Sequence, residues 1–252
     1  MFQLGDDVIQ RKVVKQTVMT VVYGVTQYGA KLQIRRQLKD LELVGKEQLS
    51  PASSYITLVT FESLGVLAKG ARDIQTWLTD MTGLISSQCF HTMEWVTPLG
   101  LPVVQPYMRT TTFATLRSAD GVRNSVDVSD TRKQKNAFPP NYIHSLDSTH
   151  MMLTSLRCQK EGLTFSSVHD CFWTHACTVE AMNKICREEF LALHNEPLLE
   201  NLREFVSKKY LPFLAKYAVP ELYNFVKKKI DAIPPKGDLN LEDVLKSVYF
   251  FS

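Results

Sequence analysis

The chain has 252 residues, 44% of them hydrophobic and 22% charged, with a formal net charge of +3. That balance excludes a disordered polyelectrolyte and supports a sizeable core in one large or two small domains. No apolar run approaches the roughly 20 residues of a membrane span, so no membrane partner is expected, and five cysteines without a C-x-x-C pair point to free thiols in a reducing compartment rather than a disulfide scaffold.

In chain order, Met1 to Asp7 form neither a secretory signal nor an Arg-rich transit peptide. Asp6 or Asp7 can cap a helix at once, as expected at the start of a fragment. That helix is predicted over about 7–28, with Gly29 as its stop. Residues 1–40 hold seven Lys and Arg against three Asp, so the rest of the chain sums to −1. A basic N-terminal face fits a polyanionic partner, and equally a solvated helix edge. Within it, Arg11, Lys15, Met19 and Tyr23 recur every four residues, about 40° apart on a helix, and form one slowly winding stripe. Val14, Val18, Val21 and Val25 make a neighbouring apolar stripe expected to face the core. Two cations, a thioether and a phenol beside Gly24 suit a nucleoside triphosphate. Arg and Lys neutralise phosphates, Met and Tyr pack on a base, and Gly permits close approach.

Helical patterns follow at roughly 54–69 and 72–88. Glu94–Tyr107, with three prolines, reads as extended or irregular. β-Branched runs flanking Asp120-Gly121 predict a hairpin over about 108–130. A basic loop, Thr131-Arg-Lys-Gln-Lys-Asn, leads to Pro139-Pro140, after which Asn141 caps a helix to about Glu161. Thr164–Val168 and Cys171–His175 read as short strands around His169-Asp170. A helix from Thr178 ends before Pro197, further helices are broken near Pro212, Pro220 and Pro234-Pro235, and Asn240 caps a last short one. The fold class is therefore α+β and predominantly helical. His144, Asp147 and His150 at steps of three spread over about 120° of helix, too wide for one metal site.

Several stretches together resemble the single-subunit, phage-type DNA-directed RNA polymerase family, which includes mitochondrial enzymes. They are RKVVKQTVMTVVYGVTQYG, EWVTPLGLPVVQPY, TRKQKNAFPPNYIHSLDSTHMMLT, GLTFSSVHDCFWTHA and the terminal YFFS, and they run in order through the whole chain. The resemblance implies the fingers (1–143) and the C-terminal part of the palm (144–252) of a right-hand polymerase fold. It implies that Arg11 and Lys15 bind the incoming triphosphate and that Met19 packs nearby. Tyr23 and Gly24 would lie beside the nascent base pair, where Tyr23 helps choose ribose, and His144 would approach the 2′-hydroxyl. Lys15, Tyr23 and Asp170 would act at the reacting centre, with Asp170 binding catalytic Mg2+, two ions in the complete enzyme. Met19 and Cys171 match the RNA-making rather than the DNA-making members. The 108–130 hairpin falls where the family has its specificity hairpin, and Tyr249–Ser252 resembles its terminal foot.

By the same resemblance the partners are a DNA template, an RNA transcript, nucleoside triphosphates and mitochondrial initiation factors, in the mitochondrial matrix. The family's other catalytic Asp belongs upstream of the fingers helix and is not among these residues, so the fragment alone is expected to be inactive. Two alternatives have other signatures. One is a truncated nucleic-acid-binding product without catalysis. The other is a zinc-stabilised module built on His169, Cys171, His175 and Cys177, which would need the hairpin to bend these four together.

Overall fold

The structure, a computed structural model, describes residues 10–21, 23–114 and 123–250. Nine helices and three separate two-stranded antiparallel ribbons make up these residues, bearing out a predominantly helical α+β chain. They fall into two compact units, 1–78 and 79–252. The division falls within α4 (Lys69–Leu84). The boundary expected at 143/144 lies inside an uninterrupted helix, α5 (Thr131–Lys160).

In the N-terminal unit, α1 (Arg11–Val21), α2 (Gln27–Asp40) and α3 (Leu49–Leu67) enclose a core of Val13, Ile34, Leu38, Leu49, Ala52 and Ile56. Two sequence expectations change here. The 7–28 helix is not continuous. It stops at Val21, turns through Gly24 at φ 89°, and restarts at Gln27 behind the Thr26 cap, whose Oγ1 accepts the Gly29 N–H. Gly29 is thus inside α2 and stops nothing. The buried face of α1 is Val13, Thr17 and Val21, whereas Val18 is exposed. A threonine can sit in this core because its hydroxyl has a partner: Thr17 donates to Oε1 of Gln33 at 3.1 Å, an oxygen that also lies 3.2 Å from the Thr20 hydroxyl.

The C-terminal unit continues from α4 through a π-helical turn (Ile85–Cys89) into β1 (Glu94–Val96) and β2 (Pro102–Val104). β3 (Met108–Ala114) pairs with β4 (Arg123–Ser129) in register Met108↔Ser129. The expected hairpin therefore exists at its base, and the Asp120-Gly121 tip lies outside the described residues. Trp95 anchors the core, edge-on to Phe138 at 5.3 Å and donating from Nε1 to Ser145 Oγ at 3.0 Å. The expected basic loop is instead the start of α5. Asp130 caps it, accepting the Lys133 N–H at 3.1 Å, and the helix runs through Pro139 and Pro140. Tertiary contacts override the prolines, because fully buried Gln134 is hydrogen-bonded to Met93, Gln105 and Tyr107 and holds the first turns in place. Pro212 likewise sits inside α7 (Leu198–Tyr217), while Pro220 opens α8 (Pro220–Asp231).

Between α5 and α6 (Val179–Asn195), β5 (Ser166–Val168) and β6 (Cys171–Trp173) form a tight hairpin. Phe172 and Phe165 pack against buried Cys158, Met182 and Ile185, which fixes the hairpin on the two helices. A last short helix, α9 (Asp243–Lys246), follows a turn in which Asn240 Oδ1 accepts the Glu242 N–H.

Candidate nucleotide and metal site

On α1 the side chains of Arg11, Lys15 and Met19 are exposed, opposite the buried Val13–Thr17–Val21 face. Lys15 and Met19 line an open groove of about 350 Å³ with Lys12, Gln16, Thr20 and Gln37. The geometry thus brings together half of the predicted stripe. Arg11 and Tyr23 do not line the groove. Tyr23 lies beyond the helix end, in the turn where the Gly24 N–H bonds to the Val21 carbonyl at 3.0 Å. Lys12, Gln16 and Gln37 were not singled out from sequence. Lys12 follows Arg11 and carried a signal as the next cation. Gln37 carried none, because only the packing of α2 on α1 brings it there.

In the C-terminal unit, Asp170 is exposed at the tip of the β5–β6 hairpin. Val168 pairs with Cys171, leaving a two-residue loop in which His169 takes φ 50°. Such a loop needs a positive φ to match the strand twist, so the backbone itself pushes the carboxylate outward. His144, on the exposed face of α5, lines a groove of about 280 Å³ with Gln105, Asn141 and Ser148. One turn on, Asp147 has its pKa raised, first by loss of solvent, with Asp170 adding to the rise and His144, His150 and His194 opposing it. Asp147, Asp170 and His144 therefore share one electrostatic neighbourhood. His150 points elsewhere: it is buried, and its Nε2–H donates to the Cys186 carbonyl at 2.8 Å. Burial lowers its pKa.

Among the described residues no three His, Cys, Asp or Glu side chains gather to hold a metal ion. The four soft ligands of the zinc alternative do not converge, because Cys171 leads an exposed strand edge and Cys177 lies in the separate turn 176–178. Magnesium poses a different demand. It takes hard oxygen donors and commonly uses one or two carboxylates, completing its shell with water and substrate phosphate. An outward, exposed carboxylate at Asp170 fits that requirement.

The tail resembling a foot is described up to Phe250, which packs edge-on against Phe190 at 4.9 Å, with the Arg187 guanidinium 5.5 Å from its ring centre. Arg187 also donates from Nη1 to the carbonyls of Val244 (2.7 Å) and Ser247 (2.5 Å).

Comparison with known proteins gives these features a context. Residues 1–228 match the family model described as DNA-dependent RNA polymerase. The chain is 48% identical over 259 aligned residues to the mitochondrial DNA-directed RNA polymerase of Homo sapiens, covering 99% of this chain and 20% of that one. It is 45% identical to the Mus musculus counterpart, covering 99% and 21%. Against the chloroplastic DNA-directed RNA polymerase 3B of Nicotiana tabacum it is 44% identical, covering 98% and 24%. The chain spans about a fifth to a quarter of the length of these relatives.

Proposed function

We propose that this chain, which belongs to the DNA-dependent RNA polymerase family, supplies the triphosphate-binding helix and one magnesium-binding carboxylate of an enzyme that transcribes mitochondrial DNA. Because the chain spans about a fifth of its relatives' length, the activity is assigned to a longer polypeptide. The reading is supported most by α1. Its buried Val13–Thr17–Val21 face turns Arg11, Lys15 and Met19 outward as a set.

In this reading Arg11 and Lys15 neutralise the triphosphate, Arg11 through its fork of donors and Lys15 from the groove wall. Met19 offers an apolar surface to the base. Gly24, with no side chain and φ 89°, leaves the turn open for Tyr23 to lie beside the nascent pair. His144 bonds the ribose 2′-hydroxyl, the only handle that separates ribose from deoxyribose. Asp170 would hold Mg2+, with Asp147 within its electrostatic reach, and the ion would supply charge neutralisation for phosphoryl transfer. The reaction is attack of the transcript 3′-hydroxyl on the α-phosphate with release of pyrophosphate. Template DNA, transcript and initiation factors are the proposed partners, and the mitochondrion the proposed compartment.

Equilibrium binding of a labelled ribonucleoside triphosphate tests the α1 assignment. Arg11→Gln and Lys15→Gln should each weaken binding about tenfold, the loss of a charge-assisted hydrogen bond. Unchanged affinity in both variants would remove the assignment.

A further inference from the structure

A cavity of about 350 Å³ in the C-terminal unit shares no lining residue with the grooves at α1 and at His144. Three elements wall it. One is the turn between β1 and β2, which is held by its own hydrogen bonds. The Thr97 N–H donates to the Leu101 carbonyl at 2.9 Å, the Gly100 N–H to the Thr97 carbonyl at 2.8 Å, and the Leu101 N–H to Thr97 Oγ1 at 3.1 Å. α7 supplies Leu198, Asn201, Leu202 and Phe205, whose spacing of three and four puts them on one helix face. Buried Tyr142 comes from α5 and donates its hydroxyl to the Leu198 carbonyl at 3.1 Å, which ties α5 to the start of α7 at the cavity.

Two polar side chains, Glu196 and Asn201, stand exposed at the mouth of this largely apolar space. Among the described residues neither side chain makes an ion pair or a hydrogen bond. The helix does not require Glu196, because the first turn of α7 already holds an acid, Glu200. Burial raises the Tyr142 pKa and the charge of Glu200 adds to the rise, so a second carboxylate bears on the same end of α7. Oε1 of Glu200 lies 3.9 Å from Lys236 Nζ, and its buried Oε2 has no hydrogen-bond partner among the described residues. The cation nearest Phe205, Lys209 at 5.7 Å from the ring centre, is taken up by Glu94.

A space of this size lies at the small end of the range that holds organic ligands, and a few polar groups around an apolar lining fix how such a ligand sits. An unpaired carboxylate at the mouth selects a cation, and the amide oxygen of Asn201 accepts a second N–H. We propose that this cavity binds a small organic amine with an aromatic or compact apolar body. Glu196 and Asn201 Oδ1 hold the ammonium, and Leu198, Leu202 and Phe205 take the body. The site uses neither α1 nor Asp170, so it stands or falls apart from the proposed catalytic role.

The test is a titration of this 252-residue chain with 2-phenylethylamine, followed by saturation-transfer NMR of the ligand. The expected dissociation constant is in about the millimolar range, as suits so small a ligand. 2-Phenylethanol, which keeps the ring and lacks the charge, should bind about tenfold more weakly, the loss of a charge-assisted hydrogen bond. Phenylacetate should show no saturable binding. Glu196→Gln should erase the preference for the amine over the alcohol. Asn201→Trp, which fills the mouth from an exposed position, should abolish binding of both. Glu221→Gln, which removes a charge from an exposed position on α8, should match wild type. Equal affinity of the wild-type chain for the amine and the alcohol, or for the amine and phenylacetate, would overturn the cation site. Equal losses in Glu196→Gln and Glu221→Gln would reduce the effect to net charge and overturn it too. Undiminished amine binding in Asn201→Trp would place the amine elsewhere and overturn the cavity. The comparison of the three ligands on the wild-type chain needs no variant to fold, so a variant that loses its far-UV circular dichroism leaves that comparison to decide.

Discussion

Replacing Gly24 by alanine isolates the backbone turn that ends α1. Gly24 has φ 89°, and a Cβ there would lie 3.0 Å from Nε2 of Gln75. The two consequences differ in size. Gln75 meets the new methyl with the end of a flexible side chain and can move aside at little cost. The backbone cannot, and an L-residue held at positive φ costs about 1–2 kcal/mol. Gly24→Ala should therefore destabilise the protein by about 1–2 kcal/mol, a shift of roughly 0.3–2 M in the urea midpoint for slopes of about 1–3 kcal/mol per M. Far-UV circular dichroism reads the transition, since the unit around this turn is helical. Two controls separate the causes. Gly24→Asn adds the same Cβ but tolerates positive φ better, so it should cost less than Gly24→Ala. Adding Gln75→Ala to Gly24→Ala should recover only a small part of the loss. Equal costs for Asn and Ala, or full recovery with Gln75→Ala, would refute the backbone explanation and assign the effect to contact.

Three further outcomes follow from the packing. Cys171 and Cys177 are exposed, whereas Cys89, Cys158 and Cys186 are buried and burial raises their thiol pKa values, to about 11 for Cys89 and about 12 for Cys186. A thiol reagent should therefore titrate two groups quickly in the native protein and five after denaturation, and five fast thiols would contradict the fold of the C-terminal unit. His150 has a folded-state pKa below its ordinary 6.5, so its contribution to stability is present above that pH and is lost as pH falls through 6.5 toward the folded value. Unfolding midpoints at pH 7.5 and 5.5 should differ less in His150→Gln than in wild type, and an identical difference would exclude His150 as a source. Thr17→Val keeps the buried shape but removes the hydroxyl bonded to Gln33 and should cost about 0.5–1.5 kcal/mol in urea unfolding, a neutral effect showing that this bond does not hold α1 on α2.

Much of the site was legible because its residues act through local spacing. The four-residue recurrence of Arg11, Lys15 and Met19 is a property of any helix, and Val168–Cys171 around two polar residues is enough to place Asp170 on a turn. Helix limits were less legible where distant contacts decide them. The basic stretch before Pro139 reads as a loop by propensity, yet Gln134 is drawn into the core by Met93, Gln105 and Tyr107 and makes it helical. On α1 Val21 is buried and Val14 packs on the core as expected, but Thr17 takes the inward place expected of Val18, because Thr17 looks polar in isolation and only the partner at Gln33 shows it belongs inside. The electrostatic influence of Asp170 on Asp147 arises from tertiary packing, which no spacing within α5 reveals.

Asp170 carries the central claim, and transcript extension measures it most directly. In the full polymerase polypeptide carrying this sequence, Asp170→Asn keeps the size of an exposed side chain while removing its charge, so folding and template binding should be unchanged. Extension in the presence of Mg2+ should fall by about 10³-fold or more, the loss of several kcal/mol of metal-borne stabilisation. Extension within a few-fold of wild type would contradict the account.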